Sequence, residues 1–302
     1  MDRIGGATSV LREAFGWPKA TWGRAMTDNP QSGHVRFERP PVIETVFGIQ
    51  FQPLHKWQTP IFGLFWATIK DRYPSYRVVP PLESQVEDVD QPHRAMGGPA
   101  FSILPGPPTP RCWFFNVPET QLIQVQPDRF VLNWKRGLVD ASYPHYKNIR
   151  PVLEEEWAHF RGFVDSNDLG KLEVRQCEIA YINHIEIGAG WKDFAELDSV
   201  LTVWSGGALN RTSLKPEDVN VGIRYRLPER MGRLHVLAEP VLRTTDYKEV
   251  LQLTIIARGG PESPDSENIF GWFDVAQTYV RESFVDLTTD KMHAIWGIRN
   301  QS

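Results

Sequence analysis

Two cysteines in 302 residues, Cys112 and Cys177, leave no room for a disulfide framework. A small secreted scaffold stapled by bridges is excluded, and a reducing compartment is expected. Long apolar runs are also missing. No window approaches the roughly 20 apolar residues of a membrane-spanning helix, and the opening MDRIGGATSVLREAF has no apolar signal core. The expected location is therefore the cytoplasm, with no membrane partner. Excess positive charge is lacking too: Lys and Arg number 33 against 37 Asp and Glu, a formal net charge of -4. That disfavours nucleic-acid binding through a broad basic surface. The common motifs of catalysis and cofactor binding are absent, among them a phosphate-binding GxxxxGK[ST] loop, a GxGxxG turn, HExxH, a CxxC pair and a GxSxG elbow. No cofactor and no metal are expected. Enzymatic activity stays open, because catalytic triads are spatial and not sequential.

What is abundant is aromatic: 11 Trp and 16 Phe. Large rings carry much of the buried area of a core and are enriched at contacts between chains. With 41% hydrophobic and 23% charged residues the profile is globular.

One stretch organises the chain. In Val174 to Ile187, VRQCEIAYINHIEI, the residues Cys177, Ile179, Tyr181, Ile185 and Ile187 alternate with Gln176, Glu178, His184 and Glu186. A period of two predicts a strand with one face in a core and one face partly wet. Residues 1–38, rich in Gly, Ser, Pro and charge, read as a partly mobile extension with a short helix near Val10 to Phe15 and two tryptophans, Trp17 and Trp22, free to dock on a partner.

Residues 39–168 form a first half. VIETVFGIQF alternates as a strand, with Thr59-Pro60 as a helix start and Tyr73-Pro74 as its stop. Residues 80–110 form a proline-rich loop. CWFFNV, Gln121 to Gln126 and Arg129 to Lys135 follow as a meander, and a long helix spans about Tyr146 to Asp165. Residues 169–302 repeat the order: the central strand, a weak helix from Trp191 to Leu201, three strands from Val219, Arg233 and Glu249, and a second long helix carrying Ile269, Phe273, Ala276, Val280, Phe284 and Leu287. A capped turn, LTTDKMHAIWG, ends it. The expectation is an α+β internal duplication of two similar halves. Each would be an antiparallel sheet with a long helix across it, as separate sheets or one continuous sheet. The element order resembles the TATA-binding-protein-like and helix-grip folds, an analogy of fold alone.

PPVIETVFGIQF, LIQVQPDRFVLNWKR, YPHYKNIRPVLEEEWAHF, CEIAYINHIEI and FVDLTTDKMHAIWG occur in that order over residues 40–298. Together they resemble an uncharacterised, sporadically distributed bacterial protein family. The resemblance implies a bacterial, two-lobed cytoplasmic protein and supplies no mechanism. The patchy distribution of that family implies accessory roles such as antiphage defence or toxin–antitoxin systems.

Candidate site residues are few. Asn183 falls on an otherwise apolar face beside Tyr181, and either lines a cavity or bonds to nearby backbone. Glu178, His184, Arg224 and Arg226 fall on one outer face if the first two strands of the second half are near each other. There they either hold an anionic ligand or pair across strands. Arg129, Lys135 and Arg136 with Trp134 form a basic, aromatic strand, but Trp134 shares its face with Phe130 and Leu132 and reads as core. The leading expectation is a non-enzymatic interaction protein whose partner is another protein or its own second copy. The rivals are a small-molecule pocket and an enzyme centred on Asn183, His184 and Glu178.

Overall fold

The computed structural model describes residues 35–84, 86–90, 109–137, 142–206, 212–261, 263 and 265–300. Trp17, Trp22 and the expected amino-terminal helix lie outside the described residues, as does most of the proline-rich loop. Main-chain contacts separate residues 36–299 from a unit of residues 1–35 and 300–302; the description below concerns residues 36–299.

In chain order the elements are β1 (Val35–Phe37), β2 (Val42–Phe51), α1 (Thr59–Ile69), β3 (Ser75–Val79), β4 (Arg111–Phe115), β5 (Gln121–Gln126), β6 (Arg129–Lys135), α2 (Tyr146–Ser166), β7 (Val174–Glu186), β8 (Val221–Arg226), β9 (Arg233–Leu242), β10 (Glu249–Gly259), α3 (Ser266–Leu287), α4 (Asp290–Trp296) and β11 (Ile298–Asn300). Strands β2 to β10 make a single nine-stranded antiparallel sheet in the order β3-β4-β5-β6-β2-β7-β10-β9-β8. The sheet is continuous because β2 and β7 pair with each other, Phe47 opposite Ile179 and Gly48 opposite Glu178.

Alternation decides the faces. Phe47, Ile49 and Phe51 of β2, Phe130 and Leu132 of β6, Cys177 and Ile179 of β7, and Leu253, Ile255 and Ala257 of β10 are all buried on one side. The apolar stripes of the long helices close on that side. On α2, Phe160 places its ring 5.2 Å from Phe130 and 5.8 Å from Phe51; on α3, Phe273 lies 6.0 Å from Phe47. Phe65 of α1 joins them, 5.6 Å from Phe160. Each such ring contributes roughly 1.5–3 kcal/mol by leaving water. Trp134 is buried on this side, as its neighbours implied.

Several local expectations are revised. Thr59 is the first residue of α1 and Gln58 its cap, since Pro60 fixes the first turn one residue earlier than a hydroxyl cap would. Residues 191–201 hold a short 3-10 turn, Phe194–Ser199, and not an α-helix. Past Pro74 the chain extends at once into β3, which pairs with β4 through Arg77 opposite Trp113. The first two strands of the second half, β7 and β8, are not neighbours, because β10 folds back between them and β9 follows it. Thr289 does cap α4, accepting a hydrogen bond from Met292 N–H at 3.4 Å, and Gly297 ends it in the left-handed conformation with φ 71°. No helix among the described residues is long and apolar enough to cross a membrane.

Candidate functional site

Among the described residues the other face of the sheet carries no helix, and yet it is not all wet. Five amides on it are buried: Gln50, Gln124, Gln126, Asn133 and Gln176. Their cover is the segment that leaves β3, residues 80–90, which crosses the strands and is tied down by side chains. Gln126 meets both main-chain groups of Leu82, accepting from its N–H at 3.0 Å and donating to its carbonyl at 3.1 Å. Gln50 Nε2 donates to Ser84 Oγ at 2.5 Å, and Glu87 N–H donates to Gln176 Oε1 at 2.6 Å.

The far end of this strap is an ionic clasp. The Glu87 side chain, 3% exposed, accepts from Arg233 Nη1 at 2.5 Å and meets His235 Nε2 at 3.1 Å. Burial alone would raise the Glu87 pKa, but hydrogen bonds from Arg233 and His235 outweigh it and hold the carboxylate below its ordinary value. Asp90 accepts from Arg230 Nη2 at 2.6 Å just beyond.

Between strap and sheet lies a cavity of about 240 Å³. Its floor is a row of residues opposite one another on adjacent strands: Gln124, Val131, Gly48, Glu178 and Arg258. Gly48 sits in the middle of the row and of the sheet, and its lack of a side chain is what leaves the space open. The volume is that of about eight waters at roughly 30 Å³ each.

Charge over the floor is uneven. Glu178 Oε2 accepts from Arg258 Nε at 2.6 Å, a close pair. Arg129, at the cavity wall, donates among the described residues to neutral acceptors: its Nη2 bonds Gln50 Oε1 at 3.0 Å and the Glu83 carbonyl at 3.1 Å, and its Nε–H is buried with no acceptor among them. Arg111 repeats the pattern, with Nη1 donating to Gln124 Oε1 at 2.8 Å and Nε–H buried without an acceptor among the described residues. Burial and repulsion from Arg129 lower the Arg111 pKa. Burial lowers that of Arg129 too, joined by repulsion from Arg258, while Asp128 and Glu178 pull the other way. Among the described residues the cavity lining holds no histidine, cysteine or serine.

The residues expected from sequence are dispersed. Of those described, Glu178 and, from the basic strand, Arg129 line the cavity. Tyr181 faces the helices and shares a 2.8 Å hydrogen bond with Tyr143; burial pushes its pKa up to about 12. Asn183 is buried on that same side and donates to the Leu253 carbonyl at 3.0 Å, the backbone-bonding alternative. His184 is on the Glu178 side but six residues along β7, about 20 Å at roughly 3.3 Å per residue; its Nε2 meets Gln252 Oε1 at 3.3 Å. Burial lowers its pKa, with Arg243 adding to the effect. Arg224 and Arg226 are exposed on β8, opposite His235 and Arg233, two strands away from the partner that Glu178 takes. Gly48, Arg111, Gln124 and Arg258 went unnoticed. The signal for them was present in part: polar amides at mid-strand positions of a meander, and a glycine inside a strand.

The architecture defines an α+β protein whose nine-stranded antiparallel sheet has helices on one face and a strapped cavity on the other. Comparison with known proteins finds no matching family model, no matching curated protein and no matching solved structure.

Proposed function

We propose that this chain is a binding protein for a small polar molecule, held between the helix-free face of the sheet and the strap at residues 82–87. The observation that carries the reading is Gly48. A side chain is missing at the centre of a fully paired strand, where glycine weakens a sheet, and a partly open cavity lined by both polar and apolar residues stands in its place. The volume suits a metabolite of modest size and falls below the roughly 300–1,000 Å³ of sites for drug-sized ligands.

The test is mass spectrometry of the full-length protein from its own host, under native and then denaturing conditions. A released small molecule, absent from the Gly48→Leu variant, is expected. Clean protein mass in both conditions, with no small molecule raising the melting temperature of the wild type, overturns the reading.

The sheet order also supports a duplication as the origin of the scaffold. Starting from each central strand, β2-β6-β5-β4 and β7-β10-β9-β8 follow the same path, first strand beside last and then back through the meander. The cavity would then have arisen in the half that acquired the long connection after β3. A protein partner is the second reading, favoured by the free edge β3, where Tyr76 and Val78 are 56% and 60% exposed. A Val78→Lys variant that abolishes self-association or co-purification tests it.

A further inference from the structure

Resting on the cavity reading, we infer that the ligand is a compact oxyanion, a carboxylate or phosphate group, received beside Arg129 with Arg111 at the cavity's edge. Arg129 lines the cavity, and Arg111 reaches it through its hydrogen bond to the lining residue Gln124. Arg111, Trp113 and Gln124 share one sheet face, since Trp113 stands opposite Gln124 and Arg111 lies two residues before Trp113 on β4. Three buried N–H groups there, Arg129 Nε, Arg111 Nε and Trp113 Nε1, have no acceptor among the described residues. A buried donor without a partner is destabilising. Asp128 and Glu178 attract Arg129, but the hydrogen bonds that hold its guanidinium go to neutral oxygens. The two carboxylates that pair beside the cavity are taken by other arginines, Glu178 by Arg258 and Glu87 by Arg233.

The nearest acceptors are already committed. Gln124 Oε1 is taken by Arg111, while its amide donates to Asn133 Oδ1 at 2.7 Å, and Asn133 donates in turn to Glu44 Oε1 at 2.6 Å. This relay fixes the Gln124 amide with its oxygen toward Arg111 and leads away from the cavity. The exposed Glu83 supplies its carbonyl to Arg129. Residues 91–108, which follow the strap in sequence, contain no aspartate or glutamate. What the wall lacks is a small group with several acceptor oxygens and negative charge. Guanidinium groups match carboxylate and phosphate in both respects.

The test uses the full-length protein in a buffer free of oxyanions. Inorganic phosphate, malonate and, at matched ionic strength, sodium chloride and the uncharged malonamide are titrated by calorimetry and by thermal shift. Saturable binding of phosphate or malonate is expected, with neither chloride nor malonamide acting. Arg129→Gln should weaken that binding at least about tenfold, a loss of about 1.4 kcal/mol. Arg111→Gln should act in the same direction, and the melting temperature of each unliganded variant should be no lower than that of the wild type. A purely structural arginine would lower it. Malonamide binding in place of the oxyanions, blocked by Gly48→Leu, overturns the oxyanion assignment and leaves the cavity reading standing. If no probe binds, the oxyanion assignment fails, and the mass-spectrometric comparison decides the cavity reading separately. Oxyanion binding unaffected by either arginine substitution also overturns the assignment.

Discussion

Replacing Glu87 by glutamine strikes the clasp that holds the strap. In the wild type a carboxylate 3% exposed faces a guanidinium 5% exposed at 2.5 Å, with His235 at 3.1 Å on the other oxygen. Breaking a buried pair by removing one charge destabilises by roughly 3–5 kcal/mol; the amide keeps one acceptor oxygen, so the loss belongs near the low end, about 3 kcal/mol. The clasp joins the strap to β9 and is not part of the strand ladder. Its loss should therefore appear as local opening. At about 1.4 kcal/mol per tenfold, the strap should open about a hundred times more often. Hydrogen exchange read by mass spectrometry on peptides spanning residues 80–90 measures this directly, and urea denaturation gives the global stability beside it. The expected result is faster exchange in the strap with a smaller change in the urea midpoint. If the strap exchanges as in the wild type while global stability falls by the full amount, the clasp belongs to the cooperative core and the strap does not open by itself.

Further expectations follow from the same contacts. Acid should open the strap in two stages. Burial lowers the pKa of His235 from its ordinary 6.5, so the unfolded chain binds the proton more readily and stability declines as pH falls below about 6.5; Glu87 is held below its ordinary 4.5, so its contribution is complete above that value and is lost as pH falls through the lower, folded one. Exchange in residues 80–90 followed from pH 7 to 4 checks the sequence of events. Gly48→Ala should fold and keep the cavity usable, because an added Cβ would stand 3.6 Å from Glu178 Cβ, an ordinary contact, whereas Gly48→Leu should fill it. Phe160→Ala should lower the urea-derived stability by about 3–5 kcal/mol, since its ring is fully buried among Phe51, Phe65 and Phe130. Both thiols are buried, that of Cys112 with its pKa pushed up to about 11, so a thiol reagent should read none in the native protein and two after denaturation.

The sequence announced the helix-covered face well, because burial there is encoded as hydrophobicity. Ile149, Leu153, Trp157, Phe160 and Val164 on α2, and Ile269, Phe273, Ala276 and Val280 on α3, recur at helical spacing and are buried as expected. The opposite face is partly wet, as its alternation implied, but nothing in the local pattern shows which part is covered. Gln50 and Gln176 are polar, and period-two alternation says which side a residue faces and not whether something later in the chain roofs it. The roof comes from residues 80–90, whose prolines mark a loop but carry no sign of its destination. Strand neighbours were equally opaque. Glu178 was matched with Arg224 and Arg226 on the assumption that consecutive strands lie together, but β10 returns to β7 and brings Arg258 instead. Closing the first strand on the last is a long-range choice made by the whole half, beyond the reach of any local window.

The strap is attached in an unusual place for a stretch of chain, on the flat of a sheet and not along an edge. Glutamine makes this possible, because its side-chain amide is a peptide group on a flexible stalk. Gln126 treats Leu82 as a neighbouring strand would, taking one hydrogen bond and returning another. Gln176 and Arg129 likewise hold main-chain atoms, those of Glu87 and Glu83. These anchors read the backbone and are indifferent to the side chains at positions 82 and 83. Those two residues, which line the cavity roof, are therefore free to drift in sequence while the roof stays fastened. A scaffold of this kind can change what it accepts by altering its ceiling alone, leaving the floor and the fold as they were.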